Sequence, residues 1–208
     1  MPHVALVAAA YLLGSIPFGL VIARISGGVD LRRVGSGNIG ATNVLRALGK
    51  AAAALTLLGD IGKGVLAVGV ARWAGADAFV LALTALAAVL GHLYPVWARF
   101  RGGKGVATTL GVILGAMPIV GALLLLIWLM VAAISRYSSL AALVAIASLP
   151  VLTWFVDGRT AMLALSGVLV ILVVVRHAEN IRRLAAGTEG RIGQRVPGAG
   201  PNGHSATG

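Results

Sequence analysis

The chain has 208 residues, 59% hydrophobic and 11% charged, with a mean hydropathy of +0.96. A soluble domain carries about 25% charged residues, so this balance excludes a water-soluble globular domain and a disordered chain and indicates an integral membrane protein. The absence of cysteine excludes disulfides, thiolate metal sites and cysteine nucleophiles, and the net charge of +11 points to basic cytoplasmic loops or an anion site rather than to nucleic acid.

Charge-free runs define the expected membrane helices. Residues 1–23, 78–98, 105–135, 137–156 and 160–175 contain no Asp, Glu, Lys or Arg. The first run has small residues at Ala8, Ala9 and Ala10, as a signal peptide would, but no basic residue precedes it. It is read as an uncleaved helix. The 105–135 run is too long for one span, and Pro118 disfavours helix at Met117, so it divides there. A further helix carries Asp60 and Lys63 within an apolar stretch. The pattern predicts an all-α integral membrane protein with seven helices, about 3–25, 50–73, 77–98, 105–116, 118–135, 138–156 and 160–183. The helix at 105–116 is short. Residues 1–186 form a single transmembrane catalytic domain in this reading, and Gly-rich 187–208 form a disordered cytoplasmic tail.

Loop charges set an expected orientation. Arg24, Arg32, Arg33, Arg46, Lys50, Arg99, Arg101, Lys104, Arg136 and the C-terminal arginines all fall on one side. Arg72 and Arg159 fall on the other. The positive-inside rule then places the N-terminus outside and the C-terminus in the cytoplasm.

Three polar clusters fall on the predicted cytoplasmic face. The first runs from Gly35 to Arg46 and contains Ser36, Gly37, Asn38, Gly40, Thr42 and Asn43. Glycines let backbone N–H groups form an anion nest, and arginine suits a bidentate phosphate contact. A flexible turn between helices is the plainer reading, but it needs far fewer residues. The second cluster places Gly102, Gly103, Lys104 and Gly105 before a short helix, where amides and a lysine suit a phosphate. An ordinary basic loop is the alternative, and the spacing is not a Walker A pattern. The third is Arg176-His177-Ala178-Glu179-Asn180, with His177 and Asn180 on one helix face. Taken alone, it reads more simply as a solvated helix end.

Smaller features have structural explanations. Asp60 and Lys63 read as a pair neutralising itself, although intramembrane ionisable groups are functional candidates. His92 could be a site residue but reads more simply as a packing histidine, Ser138 and Ser139 read as helix caps, and Trp97, Trp128 and Trp154 as interfacial or packing aromatics. Three converging clusters with no acidic pair or metal set suggest a phosphorylated substrate at the membrane surface.

Ser36-Gly37-Asn38-Ile39-Gly40-Ala41-Thr42-Asn43, Gly91-His92-Leu93-Tyr94-Pro95-Val96, Gly102-Gly103-Lys104-Gly105-Val106-Ala107-Thr108 and Arg176-His177-Ala178-Glu179-Asn180-Ile181 occur in that order. With Asp60-x-x-Lys63-Gly64 and Arg136-Tyr137-Ser138-Ser139-Leu140, this set resembles the bacterial acyl-phosphate:glycerol-3-phosphate acyltransferase family from about Gly14 to Glu189. The resemblance implies a seven-helix inner-membrane enzyme with its site facing the cytoplasm. It implies acyl transfer from acyl phosphate to the 1-hydroxyl of sn-glycerol 3-phosphate without a cofactor or metal, giving lysophosphatidic acid and phosphate. The partners it implies are those two substrates and the bilayer. The His-x-x-x-x-Asp motif of the other glycerol-phosphate acyltransferase type is missing, since Trp97 follows His92 and Arg182 follows His177 at that spacing.

Ser36, Lys104, His177 and Asn180 are therefore the expected catalytic residues. Gly37, Asn38, Gly40, Thr42, Asn43, Arg46, Gly102, Gly103 and Ser139 are the expected substrate-binding residues. The amides of Gly37–Gly40 and Gly102–Gly103, with Ser36, are expected to hold acyl phosphate. Arg46, Lys104, Ser139, His177 and Asn180 are expected to hold glycerol 3-phosphate. Either the departing phosphate or His177 takes the hydroxyl proton. A phosphate-ester transporter and a membrane scaffold are the rival readings, and each explains the one-sided motifs less well.

Overall fold

The structure, a computed structural model, describes residues 2–194. Among the described residues there are ten α-helices: α1 (Pro2–Gly14), α2 (Phe18–Ile25), α3 (Ala41–Leu48), α4 (Lys50–Trp73), α5 (Ala78–Leu93), α6 (Val106–Ala116), α7 (Pro118–Ser135), α8 (Ser138–Val156), α9 (Thr160–Arg176) and α10 (Ala178–Ala185). No strand occurs among the described residues. The expected helices over 50–73, 118–135 and 138–156 match α4, α7 and α8 at both ends. Met117, held outside the helical region by Pro118, separates α6 from α7.

Three departures from the expected helices have local causes. The first helix breaks at Ser15–Pro17, because proline lacks the N–H a helix needs and restricts Ile16 before it. The last helix bends by 60° at His177. There the backbone N–H bonds Val174 O at 3.0 Å, while the imidazole Nδ1 donates to Val173 O at 2.8 Å. A side chain has entered the i→i−4 ladder, a recognised cause of a kink. The third departure is α3, two turns between Gly40 and Gly49 within the segment expected as loop.

Four long helices, α4, α7, α8 and the broken α1–α2, are apolar and of spanning length, as is the stretch Ala78–Ala98 containing α5. The bent α9–α10 pair makes a further candidate span. Helix α6, with 11 residues, covers about 16 Å, roughly half of a bilayer core. Their outer faces are apolar, and Trp73, Trp154 and Phe155 ring the end away from the polar loops, as interfacial aromatics do.

Glycine permits two close helix crossings. A Cβ on Gly91 of α5 would lie 2.2 Å from Tyr11 O of α1, and one on Gly111 of α6 would lie 2.1 Å from Ile61 O of α4. Without a hydrophobic force between helices in lipid, such backbone approach supplies the packing. The result fixes short α6 against the middle of α4. The main core forms around Val68, Ala85, Val89, Val112, Ile113, Leu149, Met162 and Leu169. Of the segment expected as a tail, residues 187–194 lie back against the polar end, with Ile192 N donating to Arg136 O at 2.8 Å. Residues 195–208 lie outside the described residues.

Candidate functional site

The polar end of the bundle encloses a cavity of about 260 Å³. Its wall joins Ser36, Asn38, Gly40, Thr42, Asn43 and Arg46 to Lys104, Ser138, Ser139, Asn180 and Glu189. Towards the bundle the wall turns apolar, through Leu57, Ile61, Leu110, Leu125, Trp128 and Leu129. All three predicted clusters therefore meet, at the head of an apolar groove.

The first loop is shaped by Asn43, which is 2% exposed. Its Nδ2 lies 3.1 Å from Leu31 O, 3.0 Å from Val34 O and 2.8 Å from Asn38 O. Its Oδ1 accepts from Ser36 N at 3.0 Å. Asn43 is thus a clamp for the loop rather than a free ligand group. Several amides expected to hold phosphate are also engaged. Gly37 N donates to Val34 O at 3.1 Å and Gly40 N to Asn38 Oδ1 at 2.8 Å. The loop nevertheless ends at the start of α3, whose first amides point out of the helix and favour an anion. The Thr42 and Ser138 hydroxyls, 3.0 Å apart, tie this end to α8.

The glycine pair of the second loop has a different role from the expected one. Gly102 N donates to Leu93 O and Gly103 N to His92 O, each at 3.1 Å. Their carbonyls accept from Arg176, at 3.1 Å for Gly102 O and at 3.0 and 3.2 Å for Gly103 O. Neither amide remains for a phosphate, and neither glycine lines the cavity. The glycines let the loop lie against the end of α5, since a Cβ on Gly102 would be 2.1 Å from His92 O. Arg32 holds the same loop from the other side through Ala98 O and Arg101 O. This scaffold projects Lys104 into the cavity.

Lys104 Nζ donates to Asn180 Oδ1, and Asn180 Nδ2 donates to Glu189 Oε1 at 2.6 Å. The same Oε1 accepts from Ser139 Oγ at 2.7 Å, and Oε2 accepts from Arg183 Nε at 2.7 Å. Arg46 Nη2 donates to Gly190 O at 2.9 Å, closing the ring of contacts. Burial and the Arg183 charge push the Lys104 ammonium down to about 8. Burial opposes the charge on Glu189, yet hydrogen bonds from Arg183, Ser139 and Asn180 hold its carboxyl below the usual range.

His177 is 3% exposed and does not line the cavity. It sits behind Asn180 at the bend that turns α10 towards Lys104. The sequence gives no sign of Glu189, which lies in a glycine-rich stretch, and favours packing over a site role for His92. His92 and Asp60 both line the cavity.

Comparison with known proteins gives the family. A family model described as glycerol-3-phosphate acyltransferase matches residues 4–187. A glycerol-3-phosphate acyltransferase of Cereibacter sphaeroides is 58% identical over 187 residues, covering 89% of this chain and 88% of the relative. One from Rhizobium meliloti is 51% identical over 185 residues, covering 89% and 90%. Crystal structures of PlsY (YgiH), an integral membrane glycerol 3-phosphate acyltransferase, share the fold. The glycerol 3-phosphate form superposes with a TM-score of 0.89 at 46% identity, covering 93% of this chain and 96% of that one. The lysophosphatidic acid form gives 0.86 at 44% identity, covering 92% and 95%.

Proposed function

The chain belongs to the glycerol-3-phosphate acyltransferase family, and on that premise we propose that its acyl donor is a fatty acyl phosphate. The acyl group passes to the 1-hydroxyl of sn-glycerol 3-phosphate, giving lysophosphatidic acid and inorganic phosphate. This is an acyl transfer at the start of phospholipid synthesis, carried out in a bacterial inner membrane. The N-terminus lies outside and the site faces the cytoplasm, an arrangement supported by the one-sided basic loops.

One observation carries the reading. A single cavity combines Ser36, Arg46, Lys104, Ser139 and Asn180 with an apolar wall through Ile61, Leu110 and Trp128. Two phosphorylated substrates require cations and donors at one end, and an acyl chain requires hydrocarbon at the other. Lys104 and Arg46 hold phosphate charge, with the first amides of α3 and the Ser36 hydroxyl beside them. Ser139 and Asn180 orient the glycerol moiety. Asn38, Gly40 and Thr42 shape the loop that closes over them.

The glycerol hydroxyl oxygen attacks the acyl carbonyl carbon. The carbon–oxygen bond to phosphate then breaks, and phosphate leaves with the electron pair. It also accepts the hydroxyl proton, so the products balance without a protein base or a cofactor. Acyl phosphate is already activated, so orientation and charge stabilisation supply the acceleration. His177 sets the bend that presents Asn180, and its position behind the cavity wall supports this role over that of a base. The His177→Asn variant tests it. A raised KM for glycerol 3-phosphate with kcat largely kept is expected, and a kcat loss of orders of magnitude makes His177 the base.

Phosphate release from palmitoyl phosphate by purified protein tests the donor. Release must depend on glycerol 3-phosphate and be lost in Lys104→Ala. Equal or better turnover with palmitoyl-CoA overturns the proposal.

A further inference from the structure

Helices α4 and α5 bury three polar side chains beneath the second loop, none more than 5% exposed: Asp60, Lys63 and His92. Lys63 Nζ donates to Ile16 O at 2.9 Å, the carbonyl freed where Pro17 breaks the first helix, and contacts His92 Nδ1 at 2.9 Å. Asp60 Oδ1 lies 2.8 Å from the same ammonium as its counter-charge. An ammonium has donors only, so the Nδ1 it contacts must be the unprotonated, accepting nitrogen. The contact between His92 Nδ1 and Asp60 is longer, 3.4 Å. With Lys63 charged, this geometry assigns His92 as a neutral imidazole with its hydrogen on Nε2.

That second nitrogen has no protein hydrogen-bond partner among the described residues, and it is not among the sealed, unpartnered polar atoms. His92 lines the cavity between Ile61 on the apolar wall and Lys104 at the polar head. Gly103 packs its backbone against this edge of the ring and leaves it free of any side chain, since a Cβ there would lie 2.2 Å from Nε2. His92 thus stands at the junction of a hydrocarbon wall and an anion site, where an acyl chain would meet its phosphate.

We propose that His92 Nε2–H donates a hydrogen bond to the carbonyl oxygen of the acyl donor, with its tautomer set by the buried Lys63–Asp60 pair. As the glycerol oxygen bonds to the carbonyl carbon, negative charge grows on that oxygen and the hydrogen bond strengthens. His92 keeps its proton. When the bond to phosphate breaks, the carbonyl reforms, and the hydroxyl proton leaves with phosphate. His92 is a catalytic residue in this scheme, and Lys63 and Asp60 are positioning residues that act through it. The proposal rests on the acyl-transfer reading. A wild type without turnover fails that reading, whereas the tautomer is read without any reaction.

Two measurements test the proposal on the full chain. Nitrogen-15 spectra of histidine-labelled protein, with the His92 signals assigned by their loss in His92→Gln, report the tautomer. A pyridine-type Nδ1 and a pyrrole-type Nε2 are expected, with the preference lost in Lys63→Met. A protonated Nδ1 in the wild type overturns the assignment. The kinetic test compares two amides. The His92→Gln side chain carries an N–H near the Nε2 position, whereas that of His92→Asn reaches only as far as Nδ1. Monodisperse His92→Asn should lose kcat by about 10²-fold or more, with KM for glycerol 3-phosphate within about threefold, while His92→Gln keeps most of the rate. Equal rates in the two variants, whether both high or both low, overturn the donor role.

Discussion

Lys104 gives the most quantitative prediction. Its ammonium is pushed down to about 8 by burial first and by Arg183 second. A group at that value is about 90% charged at pH 7, half charged at pH 8 and about 10% charged at pH 9. If the charge is needed to bind phosphate, kcat/KM for glycerol 3-phosphate falls about tenfold from pH 7 to pH 9, because this quantity reports the free enzyme. The sign is fixed by chemistry: the active form is protonated, so activity is lost as pH rises. A guanidinium does not titrate in this range, so Lys104→Arg should lower the plateau and remove the alkaline limb. The assay is phosphate release in detergent or proteoliposomes, with donor hydrolysis subtracted at each pH. An identical alkaline limb in wild type and Lys104→Arg refutes the assignment, as does a flat wild-type profile through pH 9.

Other perturbations probe the scaffold and the topology. Asn43→Ala frees three backbone carbonyls and Ser36 N, so we expect a loss of about 1–3 kcal/mol of stability and a raised KM; an unchanged melting temperature contradicts the clamp. Gly111→Ala sets a methyl group 2.1 Å from Ile61 O and should separate α6 from α4 at a cost of about 1–3 kcal/mol, read as a lower thermal unfolding temperature in detergent. The chain has no cysteine, so single cysteines report sidedness. Ala186→Cys should react with an impermeant maleimide only from the cytoplasmic side, and Ala76→Cys only from outside; the reverse pattern overturns the orientation.

The long elements were legible because their signals are local. Charge-free runs bounded α7 and α8, and Pro118 announced the division between α6 and α7. Pro17 carried an equally local signal, but the unbroken apolar run around it masked the break. The bend at His177 depends on a side chain choosing a carbonyl, which periodicity does not register. The three polar clusters were legible as one site because loop charge placed them on the same face. The partners of individual groups were not. Glycine at 102 and 103 announced conformational freedom, yet the N–H groups turn back to Leu93 and His92 respectively, at the end of the preceding helix. Glu189 reaches Ser139 across 50 residues and so has no local signature. Asp60 and Lys63 read as a pair from their spacing, whereas the third member, His92, comes from the next helix.

The most direct test of the account is the identity of the acyl donor. Purified, monodisperse protein is given palmitoyl phosphate or palmitoyl-CoA with glycerol 3-phosphate, and lysophosphatidic acid and phosphate are measured together. Palmitoyl phosphate should give equal amounts of the two products, and palmitoyl-CoA none of the lipid. Lysophosphatidic acid formed from palmitoyl-CoA, with palmitoyl phosphate left intact, contradicts it.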